Sequence, residues 1–337
     1  MDPATYVPAF LEQTYATDHP QLTDAARELL RERVARDPGA YASSDRARAL
    51  VSYMRVHANL HSRLARMEEL ADDEFERRRA ELFDETRRQL AEIQRTDAGC
   101  TDARLLDILL ANIPMDDCLL DLIELEADAR GRLERELPGF SAGAPHFWTD
   151  GDEERLTAVH PEVIGWLHTV EAISQGSLAS GRYRVAARAA RTVMRSRGYD
   201  NFAAGTLLLA LARLEDEDGF FSCAEEAGIE HIEDSPWYLL GRTLLLYKLG
   251  RSKSARRALR DFAGRCDGGT FFLLNPTYLT PYLPVRPYRV REAWERSHQA
   301  VWEADGIIAD TPDFAAWAEG IDGVADASER FAERNGF

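Results

Sequence analysis

The sequence predicts an all-α fold, and three observations support this prediction. Apolar residues recur with the helical period of about 3.6 residues along the whole chain. Sustained alternation of apolar and polar residues, which marks half-buried strands, is absent from the sequence. Helix starts are clearly marked, because Ser235 with Pro236 and Thr311 with Pro312 each place a capping hydroxyl before a proline that suits the first turn. We therefore expect helices to begin near Pro236 and Pro312.

Residues 1–145 form the first of three predicted regions, an irregular helical half without a visible repeat. Helices are predicted over residues 25–35, 45–67, 72–93, 102–111 and 116–136. The helix over 72–93 has densely mixed charges and one narrow apolar stripe, which is typical of a helix that lies on a surface. Self-association of the chain through this helix is one hypothesis for its role.

Residues 146–270 and 271–337 form the other two predicted regions. A stretch rich in glycine and proline, 137–152, separates the halves. His160 with Pro161 marks the next helix start, and three helical hairpins follow, with paired helices over 161–180 and 182–195, 201–214 and 220–227, and 236–249 and 252–265. The last region is predicted to contain a proline-rich turn at 275–287, a helix over 292–304 and a helix from Pro312, which together cap the hairpins.

Small residues recur in the hairpins at matching places. Gly181 and Gly250 each follow the last turn of a first helix, where glycine accepts the left-handed conformation that ends a helix. They are 69 residues apart, about twice a period of 34 residues. Gly219 is predicted to occupy the corresponding place in the middle hairpin. An alanine lies five residues after each glycine, at Ala186, Ala224 and Ala255.

This pattern resembles the tetratricopeptide family over residues 161–265. The resemblance implies an α-solenoid of antiparallel hairpins wound into a right-handed superhelix, with a concave face built from the first helix of each hairpin. The segment 275–284 and the helix that begins at Thr311-Pro312 resemble the end of uncharacterised bacterial proteins related to the suppression-of-tumorigenicity family. That second resemblance implies a capped repeat stack and brings no known reaction with it.

Composition excludes several function classes. The chain has 337 residues, with 58 Asp and Glu against 41 Lys and Arg, and its formal charge of −17 repels phosphate backbones and anionic lipids. We expect neither a nucleic-acid nor a membrane partner. The amino end lacks the basic and apolar run of a secretory signal, so a cytoplasmic location is expected. Glycine-rich phosphate loops are absent from the sequence, and neither a cofactor nor catalysis is predicted.

His57 and His61 provide the sharpest metal-like spacing. Two imidazoles at i and i+4 lie on one face of a helix and can chelate zinc or copper. Ala58 lies where a metalloprotease would have its glutamate, and the sequence offers no identifiable third ligand. The metal-binding or enzymatic alternative, with a pocket near these histidines, therefore remains the second hypothesis.

The leading hypothesis is a non-catalytic interaction scaffold. On this hypothesis, the concave face of the hairpins binds a peptide or a helix of a partner protein whose identity the sequence does not encode. Candidate residues for that face lie on the first helices of the hairpins, and they are Trp166, Thr169, Ser174, Leu208, Arg213, Tyr238, Arg242 and Tyr247.

Overall fold

A computed structural model provides the fold of the chain. It describes residues 1–67, 70–143, 149–150, 153–156, 159–196, 203–226, 232–279 and 292–337. These residues are helical almost throughout, which confirms the all-α prediction, except for one short antiparallel hairpin in which β1 (Thr149–Asp150) pairs with β2 (Glu153–Leu156). From residue 280 onward, the predicted proline-rich turn lies outside the described residues, and so does part of the predicted linker at 137–152.

The described helices follow one another along the chain, and short 3-10 turns occur at Pro38–Tyr41, Ile232–Asp234 and Pro276–Tyr278. The helices are α1 (Pro3–Asp18), α2 (Asp24–Arg36), α3 (Asp45–Ala65), α4 (Asp72–Thr96), α5 (Thr101–Leu109), α6 (Met115–Glu136), α7 (Pro161–Ala179), α8 (Tyr183–Met194), α9 (Ala203–Arg213), α10 (Glu217–Glu226), α11 (Pro236–Lys248), α12 (Ser252–Arg265), α13 (Gly269–Leu274), α14 (Trp294–Ala309), α15 (Phe314–Glu319) and α16 (Val324–Asn335).

The predicted helix starts are confirmed at two of three places. The hydroxyl of Ser235 accepts a hydrogen bond from the backbone N–H of Tyr238, which caps α11 at Pro236 as expected. Helix α7 begins at Pro161. The helix predicted at Pro312 begins two residues later, because Asp313 takes a left-handed conformation with φ of 61°.

Two compact units make up the chain, and they differ from the three predicted regions. The first unit comprises Met1–Val170 with Arg195–Asp200, and the second comprises Glu171–Met194 with Asn201–Phe337. The boundary falls inside α7, so the first helix of the first hairpin contributes to both units. The prediction placed a boundary in the glycine- and proline-rich stretch before that helix.

In the first unit, apolar side chains of α1, α3, α4, α5 and α6 form the core. Helix α1 packs against α2 and α3, α4 packs against α3 and α5, and α5 packs against α6. Fully buried side chains from this core include Tyr6, Leu11, Leu60, Leu82, Leu90 and Leu122. Burial of such side chains provides the main stabilisation of the unit.

In the second unit, the same helix-ending turn occurs three times. Gly181, Glu215 and Gly250 are left-handed, with φ of 75°, 60° and 71°. Each turn closes with the same two backbone hydrogen bonds, in which the left-handed residue and the next one donate to carbonyls three and five residues back. The left-handed residues follow one another at 34 and 35 residues, which gives the three hairpins a single repeat length.

The predicted turn position of Gly219 in the middle hairpin is wrong. Gly219 lies inside α10, and Glu215 occupies the left-handed position. The residue that corresponds to Ala186 and Ala255 is consequently Phe220 instead of Ala224. The ring of Phe220 is accommodated by Gly241 of α11, where an added Cβ would lie 3.1 Å from its Cε2 atom. A large side chain on one helix is thus matched by the missing side chain on the next.

Candidate functional site

An open groove in the second unit runs between α10 and α12, and a stripe of α11 forms its floor. Its volume is about 400 Å³. Tyr238, Arg242 and Leu246 provide the floor, because residues four apart lie on the same face of a helix. Glu217 and Phe221 lie on the α10 side. Two of the eight candidate residues predicted from the sequence, Tyr238 and Arg242, are therefore brought together in one site.

Three guanidinium groups line this groove. Arg251 precedes α12, Arg265 ends it, and Arg242 lies on the floor. Arg251 is held by both oxygens of the Glu217 carboxylate, with the longer contact at 2.7 Å, and Arg265 pairs with Asp234. Arg242 is less tightly engaged, since its Nη1 lies 3.5 Å from the Oδ2 atom of Asp261. Its guanidinium therefore keeps hydrogen-bonding capacity for a ligand.

Tyr238 contributes both an apolar ring and a hydroxyl to the floor. Its ring lies 5.4 Å from that of Phe220. Partial burial raises the pKa of Tyr238, the charge of Arg242 acts in the opposite direction, and Glu233 raises it further. The hydroxyl thus remains protonated near neutral pH and can donate a hydrogen bond. The groove accordingly offers an apolar floor together with positive charge.

Four of the predicted partner-binding residues are corrected by their burial. Trp166, Thr169, Ser174 and Leu208 are each at most 1% exposed. The indole N–H of Trp166 donates to Glu126, and the hydroxyl of Ser174 donates to the carbonyl of Ala186. These side chains hold helices together, and a bound partner would not reach them. The predicted open face was too large, because nearly all side chains on the first helices of the hairpins are buried.

Arg213 and Tyr247, the remaining two, face other helices of the second unit. Arg213 is paired at 2.6 Å with Asp310, which directly follows α14, and lies over the ring of Tyr183. Tyr247 packs against Trp317, with ring centroids 4.7 Å apart. The carboxyl-terminal helices therefore cover part of the face that was predicted to be concave and open.

The structure adds groove residues that the sequence analysis did not select. Phe221, Arg251 and Arg265 lie on or beside second helices of the hairpins, and only first helices were considered. The signal that could have found them is the concentration of arginine along 251–265 in an otherwise acidic chain.

His57 and His61 lie together on α3, as their spacing predicts. Their Nε2 atoms are 3.1 Å apart. Burial lowers the pKa of His57 to about 4, and the neighbouring His61 acts in the same direction. No cluster of three or more metal-ligating side chains occurs among the residues that the structure describes. The metal-binding alternative thus gains no third ligand within that part of the chain.

A buried polar network near these histidines links three helices of the first unit. The Oδ1 atom of Asp102 lies 2.7 Å from Nδ1 of His168, and its Oδ2 atom accepts a hydrogen bond of 2.5 Å from the hydroxyl of Tyr6. Burial alone would raise the pKa of Asp102, but His168 and the hydrogen bonds outweigh it and lower that pKa. Asp102 is 2% exposed, so the network is closed to a substrate.

Comparison with protein-family models, with curated proteins and with solved structures finds no match to this chain. Within the described part of the chain, every helix is too short or too polar to cross a bilayer. The geometry of the groove therefore provides the basis for a functional proposal.

Proposed function

We propose that the chain is a non-catalytic interaction scaffold whose second unit binds an acidic segment of a partner protein in the groove between α10 and α12. One observation carries this proposal: Arg242 lies weakly engaged on a partly apolar floor, in a groove that two further arginines also line. Arginine side chains bind carboxylates through paired hydrogen bonds, and they are enriched at the centres of protein interfaces.

The repeated turn supports the same proposal. Three hairpins with a repeat of 34 or 35 residues are what the resemblance to the tetratricopeptide family implies, and such hairpins commonly present grooves to peptides. We place the binding surface beside the second helices, since much of the surface on the first helices is buried or covered. A partner segment with two or more carboxylates and one apolar side chain would match this groove.

The guanidinium of Arg242 favours an acidic partner over a basic one. Three arginines line the groove with two glutamates, Glu217 and Glu233. Arg251 and Arg265 are paired with Glu217 and Asp234, whereas Nη1 of Arg242 lies 3.5 Å from Asp261, so Arg242 is the most available of the three cations. It lies in a chain with a formal charge of −17. Contacts with an acidic segment would therefore be favourable at the groove, whereas the rest of the surface repels such a segment and confines it to this site.

Charge reversal in the groove tests the proposal. We expect a partner that copurifies with the wild-type chain from native lysate to be lost when Arg242→Glu is introduced. Arg256→Glu is the matched control, because Arg256 is exposed on α12 and lies about 200° around the helix from Ser254 in the groove. Equal loss with both variants, or retention with Arg242→Glu, would contradict the assigned groove.

A further inference from the structure

A second cavity lies entirely within the first unit, where α1, α3, α5, α6 and the start of α7 meet. Its volume is about 440 Å³, which is within the range of small-molecule sites, roughly 300–1,000 Å³. Phe10, Leu133 and Leu137 provide apolar walls, and Arg46 and Arg132 provide positive charge. Such a combination of apolar walls with a few polar groups is typical of a ligand site.

Arg132, which lines this cavity, has an unused donor. Its Nε atom is buried and has no hydrogen-bond partner among the described residues. The closest carboxylate oxygen of Asp128 is 3.9 Å from Nε, which is too long for a hydrogen bond. Another nitrogen of the same guanidinium, Nη2, donates to the hydroxyl of Thr101 at 3.3 Å. A buried N–H without an acceptor is costly, and an oxygen atom of a ligand would satisfy it.

Arg46 contributes the second guanidinium. It lies over the ring of Phe10, 5.5 Å from the centroid, and pairs with Glu162. Burial lowers the pKa of Arg46, and the charge of Arg132 acts in the same direction, whereas Asp97 and Glu136 oppose it. Both guanidinium groups line the same cavity, so an anion there could contact either of them.

Two helix ends agree with an anionic ligand. Three carboxylates also line the cavity, of which Glu162 is paired with Arg46, while Asp18 and Glu136 are exposed, so that solvent screens their repulsion of an anion. Helices α5 and α7 begin at Thr101 and Pro161, and both residues line the cavity. The amino ends of helices carry partial positive charge and favour anions.

We propose that this cavity binds a small organic anion. Arg132 and Arg46 bind its carboxylate or phosphate group, and its apolar part packs against Phe10, Leu133 and Leu137. This site lies in a different unit from the proposed protein-binding groove and uses different residues, so the two proposals stand or fall separately.

Calorimetric titration of the full chain tests this site with phenyl phosphate, benzoate and the neutral benzyl alcohol as probes. We expect phenyl phosphate or benzoate to bind with a dissociation constant below about 10 mM, and benzyl alcohol to bind at least about tenfold more weakly. Arg132→Gln should weaken binding of the anion about tenfold or more, because it removes a charged donor. Arg135→Gln, an exposed position on the same helix, should leave binding unchanged.

Thr14→Trp provides a second variant that keeps both arginines. Thr14 lines the cavity, and an indole there would fill the space of the ligand. We expect loss of binding while circular dichroism shows an intact helical fold, which separates occlusion from unfolding. The proposal is overturned if neither anion binds the wild-type chain, or if the anion binds wild type, folded Arg132→Gln and folded Thr14→Trp equally well.

Discussion

Asp102 is a buried charge whose two carboxylate oxygens are each engaged by a different helix. One oxygen contacts the imidazole of His168 on α7, and the other accepts from Tyr6 on α1. Burial raises the pKa of Tyr6 well above its usual value, and the nearby Asp102 adds to this effect. Tyr6 thus remains a protonated donor, and the network fixes α1, α5 and α7 with respect to one another inside the first unit.

Replacing this carboxylate should be strongly destabilising. We expect Asp102→Asn to lower the free energy of unfolding by about 2–4 kcal/mol, because the amide cannot accept both hydrogen bonds and its NH₂ group lacks a matching partner. Urea denaturation measures the change. Asp121→Asn, at an exposed position on α6, serves as the control and should shift stability by no more than about 0.5 kcal/mol. Similar effects of the two substitutions would argue against the network.

His57 should make stability depend on pH. Its pKa is lowered from 6.5 to about 4 by burial, with His61 and His168 adding to this effect and Asp2 and Asp102 opposing it. Since its folded-state pKa is depressed, the unfolded chain binds the extra proton first. The stabilisation that His57 contributes is therefore complete above about pH 6.5 and is lost progressively as the pH falls towards 4.

The size of this loss follows from the pKa difference. At about 1.4 kcal/mol per pKa unit, the change from 6.5 to about 4 corresponds to on the order of 3 kcal/mol. We expect His57→Gln to lose distinctly less stability than wild type between pH 6.5 and 4, as measured by urea denaturation at several pH values. Asp102, whose lowered pKa affects stability from about pH 5 downwards, is present in both proteins and therefore contributes to both profiles. If the free energy of unfolding changed with pH in the same way for wild type and His57→Gln, the lowered pKa of His57 would be refuted.

At the scale of elements, the helix-ending turn fixes the repeat of the hairpins. An added Cβ at Gly250 would meet nothing within 4 Å, so substitution there tests backbone conformation alone. We expect Gly250→Ala to destabilise the chain by about 1 kcal/mol, because φ of 71° is unfavourable for alanine. Thermal unfolding followed by circular dichroism measures the change.

Gly264 provides the opposite case in the same hairpin. It lies within α12, and an added Cβ there would also meet nothing within 4 Å. We expect Gly264→Ala to stabilise the chain by up to about 1 kcal/mol, since alanine restricts the unfolded chain and favours the helix. If Gly250→Ala and Gly264→Ala changed the stability of the chain in the same direction, the left-handed conformation of Gly250 would be contradicted.

Most helices were predictable from periodicity and capping residues, and the exceptions have physical reasons. Helix α1 was not among the predicted helices, and it contains Pro8, a residue that disfavours a helix interior; burial of Tyr6 and Leu11 holds the helix through that proline. The middle turn was assigned to Gly219 because glycine is the usual left-handed residue. Glu215 occupies that conformation instead, and its carboxylate lies 3.4 Å from Nζ of Lys248. Local preference was overridden by tertiary contacts in both cases.

The candidate site was only partly predictable at this scale. Tyr238 and Arg242, both selected from the sequence, lie on one face of α11 and line the groove. The sequence does not reveal that α10 and α12 lie on either side of them, because the groove depends on how three helices pack. The polar network of Tyr6, Asp102 and His168 was unpredictable for a related reason, since its members are separated by 66 and 96 residues along the chain.

For the whole molecule, the proposed function depends on one groove that presents the weakly engaged guanidinium of Arg242 in a strongly acidic chain. Binding of an acidic segment there should weaken as salt concentration rises, because charges at a partly exposed groove are screened. Apolar contacts with Phe221, Tyr238 and Leu246 would be less sensitive to salt. Specificity of the scaffold would then depend on a partner that satisfies both features.

Photo-crosslinking from the groove tests this account most directly. A photoreactive amino acid at Ser254, which is exposed and lines the groove, should capture the copurifying partner, and the same residue at Arg256 should not. The captured peptide should carry several Asp or Glu residues beside an apolar side chain. Efficient capture from position 256 but not from 254, or capture of a basic segment, would contradict the proposed binding groove.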